Sequence, residues 1–359
     1  MAYLFTLLGM AWLSFIERGH KSKIFFAVTL CLYASFIIGF RDIDVGTDTN
    51  NYHVIFSMVN NGHDWRGEIL YIYLNQLVGL FTDNAVYITF IVALITLTNI
   101  SWFIYKYSPS LAFSWLVFLG YFSFFGLTNI IRQNLAVSIV LLSIPFVFNR
   151  KLIPFLLVIF VASLFHFSAI FAIPMYFMYK RRGLVFLILP CWLASIAVAF
   201  TPSVAISVFK SLDFLLPSQY THYLTSDWLL NSERAYSSGL GFVFYQLIGL
   251  LVFLGLFLQE RVDKLDDVGF QYNFFLLITV VYITLNNTFG LINGLDRIYH
   301  NYYMVAVVGV PVAISVTFDP LGKRIIMFLL GLLFSYLFLS AINSGTTNGA
   351  FPFVLSIPF

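Results

Sequence analysis

The chain has 359 residues, of which 60% are hydrophobic, 19% aromatic and only 10% charged, with a mean hydropathy of +0.90. Soluble domains carry about 25% charged residues, so the composition excludes a soluble globular protein. The net charge of +3 says little, because its distribution matters more than its sum, and no nucleic-acid partner is expected. Cys31 and Cys191 both sit inside apolar runs, which excludes a cysteine metal site and argues against a disulfide. A transmembrane helix needs about 20 mostly apolar residues. Twelve such spans would use about two thirds of the chain, which predicts an all-α polytopic membrane protein of about 12 transmembrane helices, some short or re-entrant. Residues 1–359 form one integral membrane domain in this reading.

In chain order the apolar runs are 1–16, 24–40, 85–105, 111–128, 130–148, 152–165, 167–179, 184–200, 239–259, 268–286, 297–318 and 325–343. The first lacks both a preceding basic residue and a small-residue cleavage site, so it reads as a retained span and not a signal peptide. The run 69–82 is shorter and stays on the outer side as an interfacial or re-entrant helix. Basic clusters at Glu17–Lys23, Arg150–Lys151, Lys180–Arg182, Arg261/Lys264 and Lys323–Arg324 all face the cytoplasm if the N-terminus lies outside. The stretch 152–179 has a basic cluster at both ends, so it must turn back near Phe165–Phe167. Each half is about 14 residues, or roughly 21 Å, and His166 sits at the turn. With this topology seven of eight lysines lie inside, whereas five of the six outer cations are arginines. Arginine binds phosphate through a fixed, permanently charged fork, so the bias suggests an outer anionic ligand, unless it is chance in a small sample.

Two long polar stretches, 41–68 and 201–238, form the outer (periplasmic) loops and are expected to carry short interfacial helices. In the first, Asp48 is a good N-cap, and Tyr52, Ile55, Phe56 and Val59 then share one apolar helix face. Arg41 either pairs with Asp42 or Asp44 as part of a well-capped surface helix, or lines a catalytic mouth with these carboxylates. The three aspartates also admit a divalent ion. Arg132-Gln133 opens the run 130–148, and an arginine at the edge of an apolar run is either a functional group or an interfacial snorkel. His166 has no charged neighbour in sequence. It is either a satisfied packing residue or a base facing a polar cavity. Arg297, His300 and Asn301 fall at i, i+3 and i+4 and share one helix face, either as an interfacial anchor beside Tyr299, Tyr302 and Tyr303 or as a second phosphate-binding group. Glu68 is a possible further carboxylate; His53, His63 and His222 are weaker candidates. No Gly-rich nucleotide loop or zinc motif occurs, and an outward-facing site would have no nucleotide supply. The substrate must carry its own leaving group.

Phe40-Arg41 with Val45-Gly46-Thr47-Asp48 and Tyr52, Glu68 before a short apolar helix, Arg132-Gln133 with Ala136, Phe165-His166 with Ser168-Ala169, and Arg297 opening a late span occur in one order. This pattern resembles the EpsG family of bacterial polysaccharide polymerases, the Wzy-type O-antigen and exopolysaccharide polymerases. The likeness covers most of the chain but not 201–238. It implies a multi-span glycosyltransferase with a lipid-linked donor, in the bacterial inner membrane, with its active site toward the periplasm. The growing glycan would pass from undecaprenyl diphosphate onto a new undecaprenyl diphosphate-linked repeat unit. A ligase using the same donor, or a flippase of the lipid-linked unit, are the alternatives. In the polymerase reading Arg132, Arg297 and Arg41 hold the diphosphate, His166 or else Asp48 is the base, and Gln133, Glu68, Tyr52, His300 and Asn301 orient the sugars. No cofactor or metal is required, and the resemblance suggests a chain-length regulator as a membrane partner. The reading requires Arg41, Arg132, His166 and Arg297 to converge on one pocket.

Overall fold

The structure is a computed structural model. It describes all residues except 1, 18, 121–122, 202–206, 208–210, 212–239, 263–264, 291–295, 345–348, 350–352 and 357–359. Nearly all of the 201–238 loop, with Lys210, His222 and Arg234, therefore lies outside the described residues, as do Arg18 and Lys264.

The chain is helical and polytopic. Among the described residues seven helices, not twelve, are long and apolar enough to cross a membrane: His20–Gly39, Val86–Tyr107, Ile131–Phe148, Phe242–Glu260, Asp267–Phe289, Arg297–Thr317 and Pro320–Ile342. The expectation of about 12 spans is corrected because apolar composition measures greasiness and not uninterrupted helix length. Five runs fall short. The first becomes helix α1 (Ala2–Leu13) followed by a 3-10 turn at Ser14–Ile16. The run 111–128 holds helices of ten and seven residues, Leu111–Gly120 and Ser123–Asn129. Leu152–Ser163 has 12 residues, a rise of only about 18 Å. The run 167–179 is a 3-10 helix and, after Pro174, a four-residue helix. Leu184–Ala199 has 16.

Two compact units are present, Met1–Ile173 with Phe318–Phe359, and Pro174–Thr317. In the first, α1 is followed by α2 (His20–Gly39), α3 (Thr49–Asn60), α4 (Ile69–Gly79), α5 (Val86–Tyr107), α6 (Leu111–Gly120), α7 (Ser123–Asn129), α8 (Ile131–Leu141), α9 (Ile144–Phe148) and α10 (Leu152–Ser163). Helix α2 packs along α5 in close approach: a Cβ at Gly39 would strike the Phe90 backbone. Helix α8 also packs against α5, with Asn99 donating to Ser138 at 3.2 Å.

The ends of this unit differ in charge. Tyr105, near the C-terminus of α5, meets the His20 ring at 3.0 Å, and Tyr107 packs on Phe148 of α9 at 5.5 Å. Lys21, Lys23, Lys106, Arg150 and Lys151 therefore gather at one end. The opposite end, where α2 finishes and α3, α4 and α8 begin, carries Asp42, Asp44, Asp48, Asp64 and Glu68.

The second unit contains α11 (Met175–Met178), α12 (Leu184–Ala199), α13 (Leu240–Glu260), α14 (Asp267–Phe289) and α15 (Asp296–Thr317). The last helix, α16 (Pro320–Ser344), belongs to the first unit. Within the second unit, polar side chains join three apolar helices. Trp192 donates to Gln246 at 3.1 Å, Gln246 to Asn287 at 3.0 Å, and Asn287 to Ser195 at 3.0 Å. A hydrogen-bonded chain of this kind fixes helix register where lipid gives no hydrophobic drive between helices. At the basic end of this unit Arg182 pairs with Glu260 at 3.4 Å and Lys180 with Asp267 at 3.6 Å.

Candidate functional site

The site is built around a break between two helices. Helix α7 ends at Asn129, and Ile130, the N-cap of α8, has φ −92° and ψ 53°. A continuous helix would use the Thr128 and Asn129 carbonyls as backbone acceptors; here side chains from the 40–52 segment claim them. Tyr52 donates to the Asn129 carbonyl at 2.6 Å, and Arg41 donates to the Thr128 carbonyl at 3.0 Å. Arg41 is fully buried. Its other bonds go to Thr49 Oγ1 at 2.9 Å and the Ile38 carbonyl at 2.6 Å, not to Asp42 or Asp44. Burial lowers the Arg41 pKa to about 10, which leaves it a cation at neutral pH. Burial likewise raises the Tyr52 pKa, so Tyr52 remains a protonated donor.

The chain around Arg41 is clasped by its own C-terminal tail. Asp42 N donates to the Val354 carbonyl at 2.9 Å and Ser356 N to the Phe40 carbonyl at 2.8 Å, and Arg41 and Leu355 form a β-bridge. Gly46, at φ +90°, lies against Asn129 Oδ1 and the Thr128 carbonyl, 2.8 and 3.0 Å from where a Cβ would stand. No L side chain fits there without displacing the junction.

Arg132, in the first turn of α8, is held differently. It pairs with Glu68, the N-cap residue of α4. Its guanidinium lies 5.3 Å from the Trp65 ring centroid and 5.8 Å from that of Tyr71, within the range of a cation–π contact, and reaches the Tyr52 hydroxyl. The side chain is still 27% exposed, and its shielded Nε has no hydrogen-bond partner among the described residues. The guanidinium is thus oriented on one side by a carboxylate and two aromatic rings, with donor capacity left over.

Asp48 occupies the N-cap position of α3, but its side chain makes no capping bond. The carboxylate is half-buried, accepts among the described residues only a long bond of 3.5 Å from Thr47, and lies close enough to Tyr52 to raise that phenol further. The α3 face anticipated in sequence is present: Tyr52, Phe56 and Val59 are buried.

The chain breaks after α10, and His166 takes an extended conformation, φ −163° and ψ 123°. The break is tied to the Arg132 corner, because Leu70 N in α4 donates to the Leu164 carbonyl at 3.1 Å and Phe165 packs against the cluster holding Tyr52, Tyr71 and Ile131. His166 is buried, and Ser168 N donates to its Nδ1 at 3.3 Å, with Ser168 Oγ at 2.8 Å. Since Nδ1 accepts from a backbone N–H, the neutral ring carries its proton on Nε2. Nε2 is then a donor.

One unit therefore assembles Arg41, Asp48, Tyr52, Glu68, Arg132 and the His166 break. Gln133 is buried in α8. Arg297, His300 and Asn301 belong to the second unit. There Arg297 and His300 are half-buried, His300 packs on Tyr303 at 5.4 Å, and Asn301 is fully buried. Among the described residues no group of three or more His, Cys, Asp or Glu side chains could hold a metal ion. Sequence reasoning missed Trp65, Tyr71, the Thr128 carbonyl and the tail at 353–356. Trp65, an aromatic inside a polar loop three residues before Glu68, was the one readable signal.

Over this whole arrangement the family model of the EpsG family matches, covering residues 24–355. The chain belongs to the EpsG family. The match includes every element that builds the Arg132 corner and, of the tail that clasps Arg41, Val354 and Leu355. No match to this EpsG-family chain was found among curated proteins or solved structures.

Proposed function

We propose that this EpsG-family protein is a polysaccharide polymerase of the bacterial inner membrane. It transfers a growing glycan from undecaprenyl diphosphate onto an undecaprenyl diphosphate-linked repeat unit at the periplasmic face. The observation that carries the reading is Arg132: a partly exposed guanidinium, pre-oriented by Glu68 and flanked by Trp65 and Tyr71, whose Nε–H has no partner among the described residues. It lies at the end of its unit away from the gathered lysines. Lysine and arginine in short loops favour the cytoplasm, so this orientation turns Arg132 toward the periplasm.

The reaction breaks the bond between the anomeric carbon and a diphosphate oxygen and forms a glycosidic bond to an acceptor hydroxyl. The electron pair leaves with undecaprenyl diphosphate, whose developing negative charge Arg132 stabilises through its fork. The acceptor hydroxyl must lose a proton. The Nδ1 bond of His166 favours Asp48 as the base over His166, because Asp48 has an uncommitted carboxylate, whereas His166 presents an Nε2–H. His166 then donates to the diphosphate. Tyr52 and Gln133 hold the acceptor side, and Glu68 sets the orientation of Arg132. Arg41, each of whose three nitrogens donates to a protein oxygen, contributes fixed positive charge from beneath. Arg297 is an anion ligand of the second unit, supported by His300 and Asn301. Direct displacement inverts the anomeric configuration, and the cationic side chains suffice without a metal ion. A separate membrane protein sets chain length.

Reconstitution tests the reading. Purified protein supplied only with undecaprenyl diphosphate-linked repeats should give a ladder of products, unaffected by a chelator, while Asp48→Asn leaves the repeats unjoined. A protein that consumes the donor only when a different acceptor is added is a ligase and ends the polymerase assignment. Full ladders from Asp48→Asn return the base to another group.

A further inference from the structure

At the basic end of the first unit, away from the Arg132 corner, lies a groove of about 390 Å³ bounded by three parts of the chain. Trp12 and Phe15 come from the end of α1 and its 3-10 turn, Ser110 from the link into α6, and Lys323, Arg324 and Phe328 from the start of α16. Trp12 is fixed by a 2.9 Å bond from Nε1 to Ser335 Oγ. It packs on Phe15 at 5.3 Å and edge-on against Phe328 at 5.4 Å. The aromatic floor is therefore rigid, yet Phe15 and Phe328 remain 38% and 53% exposed.

Neither Lys323 nor Arg324 forms an ion pair among the described residues. Asp319, the nearest carboxylate in sequence, accepts from Gly322 N at 3.1 Å as a helix cap. Both cations stand in the first turns of α16, where the helix dipole disfavours positive charge. The chain thus tolerates an electrostatic cost that an anion at the rim would remove. Phe328 follows Arg324 by four residues and lies one helical turn further along α16. A free phosphate would answer the cations and leave the aromatic trough open; a neutral lipid would do the reverse.

We propose that this groove binds an anionic phospholipid, with the phosphate headgroup between Lys323 and Arg324 and an acyl chain lying over Phe15 and Phe328. Basic pockets between membrane helices take lipid headgroups in this way. The site closes the seam between α1 and α16 and is separate from the glycan chemistry proposed above.

Native mass spectrometry of the full chain released from neutral detergent tests the assignment, with phosphatidylglycerol, phosphatidylcholine and inorganic phosphate as probes. Phosphatidylglycerol should bind, phosphatidylcholine should bind far more weakly, and inorganic phosphate should not displace the lipid. The pair Lys323→Gln with Arg324→Gln should weaken phosphatidylglycerol about 30-fold, at ~1 kcal/mol per cation. The single change Arg324→Gln, at an exposed position that folding does not need, should weaken it about fivefold. Lys323→Arg with Arg324→Lys should keep it. Equal binding of the two lipids, unchanged affinity in both glutamine variants, or displacement by inorganic phosphate, which would mark a soluble-anion site, each overturns the proposal.

Discussion

Arg41 and Arg132 lie in the same unit and meet the same junction between α7 and α8, yet their surroundings are opposite. Arg41 is fully buried and gives three bonds to neutral oxygens, two of them backbone carbonyls. Arg132 keeps 27% of its side chain exposed, leans on one carboxylate and two aromatic faces, and has an Nε without a partner among the described residues. A buried guanidinium whose three nitrogens all donate to protein oxygens cannot exchange them for a ligand without unmaking the fold. One that leans on a single carboxylate and keeps part of its surface open can, because a diphosphate brings more charge than the carboxylate it would replace. The first arrangement is a brace that carries a fixed charge, and the second is a receptor for an anion.

The largest effect expected from this contrast is on folding. Arg41→Met strands the Ile38 and Thr128 carbonyls and should cost about 3 kcal/mol or more, read as a fall in the thermal unfolding midpoint and in the yield of folded protein. Arg132→Met should lose less stability than Arg41→Met, because it frees no backbone carbonyl, and should make no polymer. A well-folded, inactive Arg41→Met protein would show that the brace is itself a ligand and dissolve the distinction. Next, Arg132→Lys keeps the charge but loses the bidentate fork. Its polymerisation rate should fall about 10²–10³-fold with stability unchanged; a rate within a factor of a few of native would remove Arg132 from the diphosphate.

A smaller effect separates a donor at His166 from a base. Glutamine can place an N–H near the position of Nε2, whereas asparagine mimics only Nδ1. His166→Gln should therefore exceed both His166→Asn and His166→Ala in rate by about tenfold, the worth of one hydrogen bond to a charged group. Equal loss in all three would favour proton transfer through the imidazole.

Much of this architecture is readable from the chain alone. Polar groups interrupting greasy runs are costly, so Arg41, Glu68 and Arg132 stand out before any coordinates exist. The basic clusters flanking 152–179 require a reversal near His166, and the chain does break there. The span count failed for a physical reason: Pro174, the 3-10 turns and the early end of Leu152–Ser163 stop helices without lowering hydropathy. What Arg41 does was illegible because its acceptor at Thr128 lies 87 residues away and its clasp comes from Val354 to Ser356 at the far end of the chain. The proton on His166 was hidden too, since it is fixed by a neighbouring backbone N–H and not by any charged side chain. The roles of Trp65 and Tyr71 were likewise illegible, because they depend on Arg132 packing against both rings across more than 60 residues of sequence.

The fixed charge on Arg41 has one further consequence, and it gives the smallest effect. His53 lies on α3, where burial and then the Arg41 charge push its pKa below the ordinary histidine value, while Asp42 pulls it back more weakly. A depressed native pKa means that the folded chain binds fewer protons than the unfolded one. Stability then rises with pH across that interval. The contribution is complete above the unfolded value of about 6.5 and is lost as pH falls through the lower native value. Unfolding midpoints measured from pH 7 down to pH 5 should therefore drop further for the native chain than for His53→Gln, which has nothing to titrate there. Parallel curves would mean that the Arg41 charge does not reach across α3, and that the brace is electrostatically silent as well as buried.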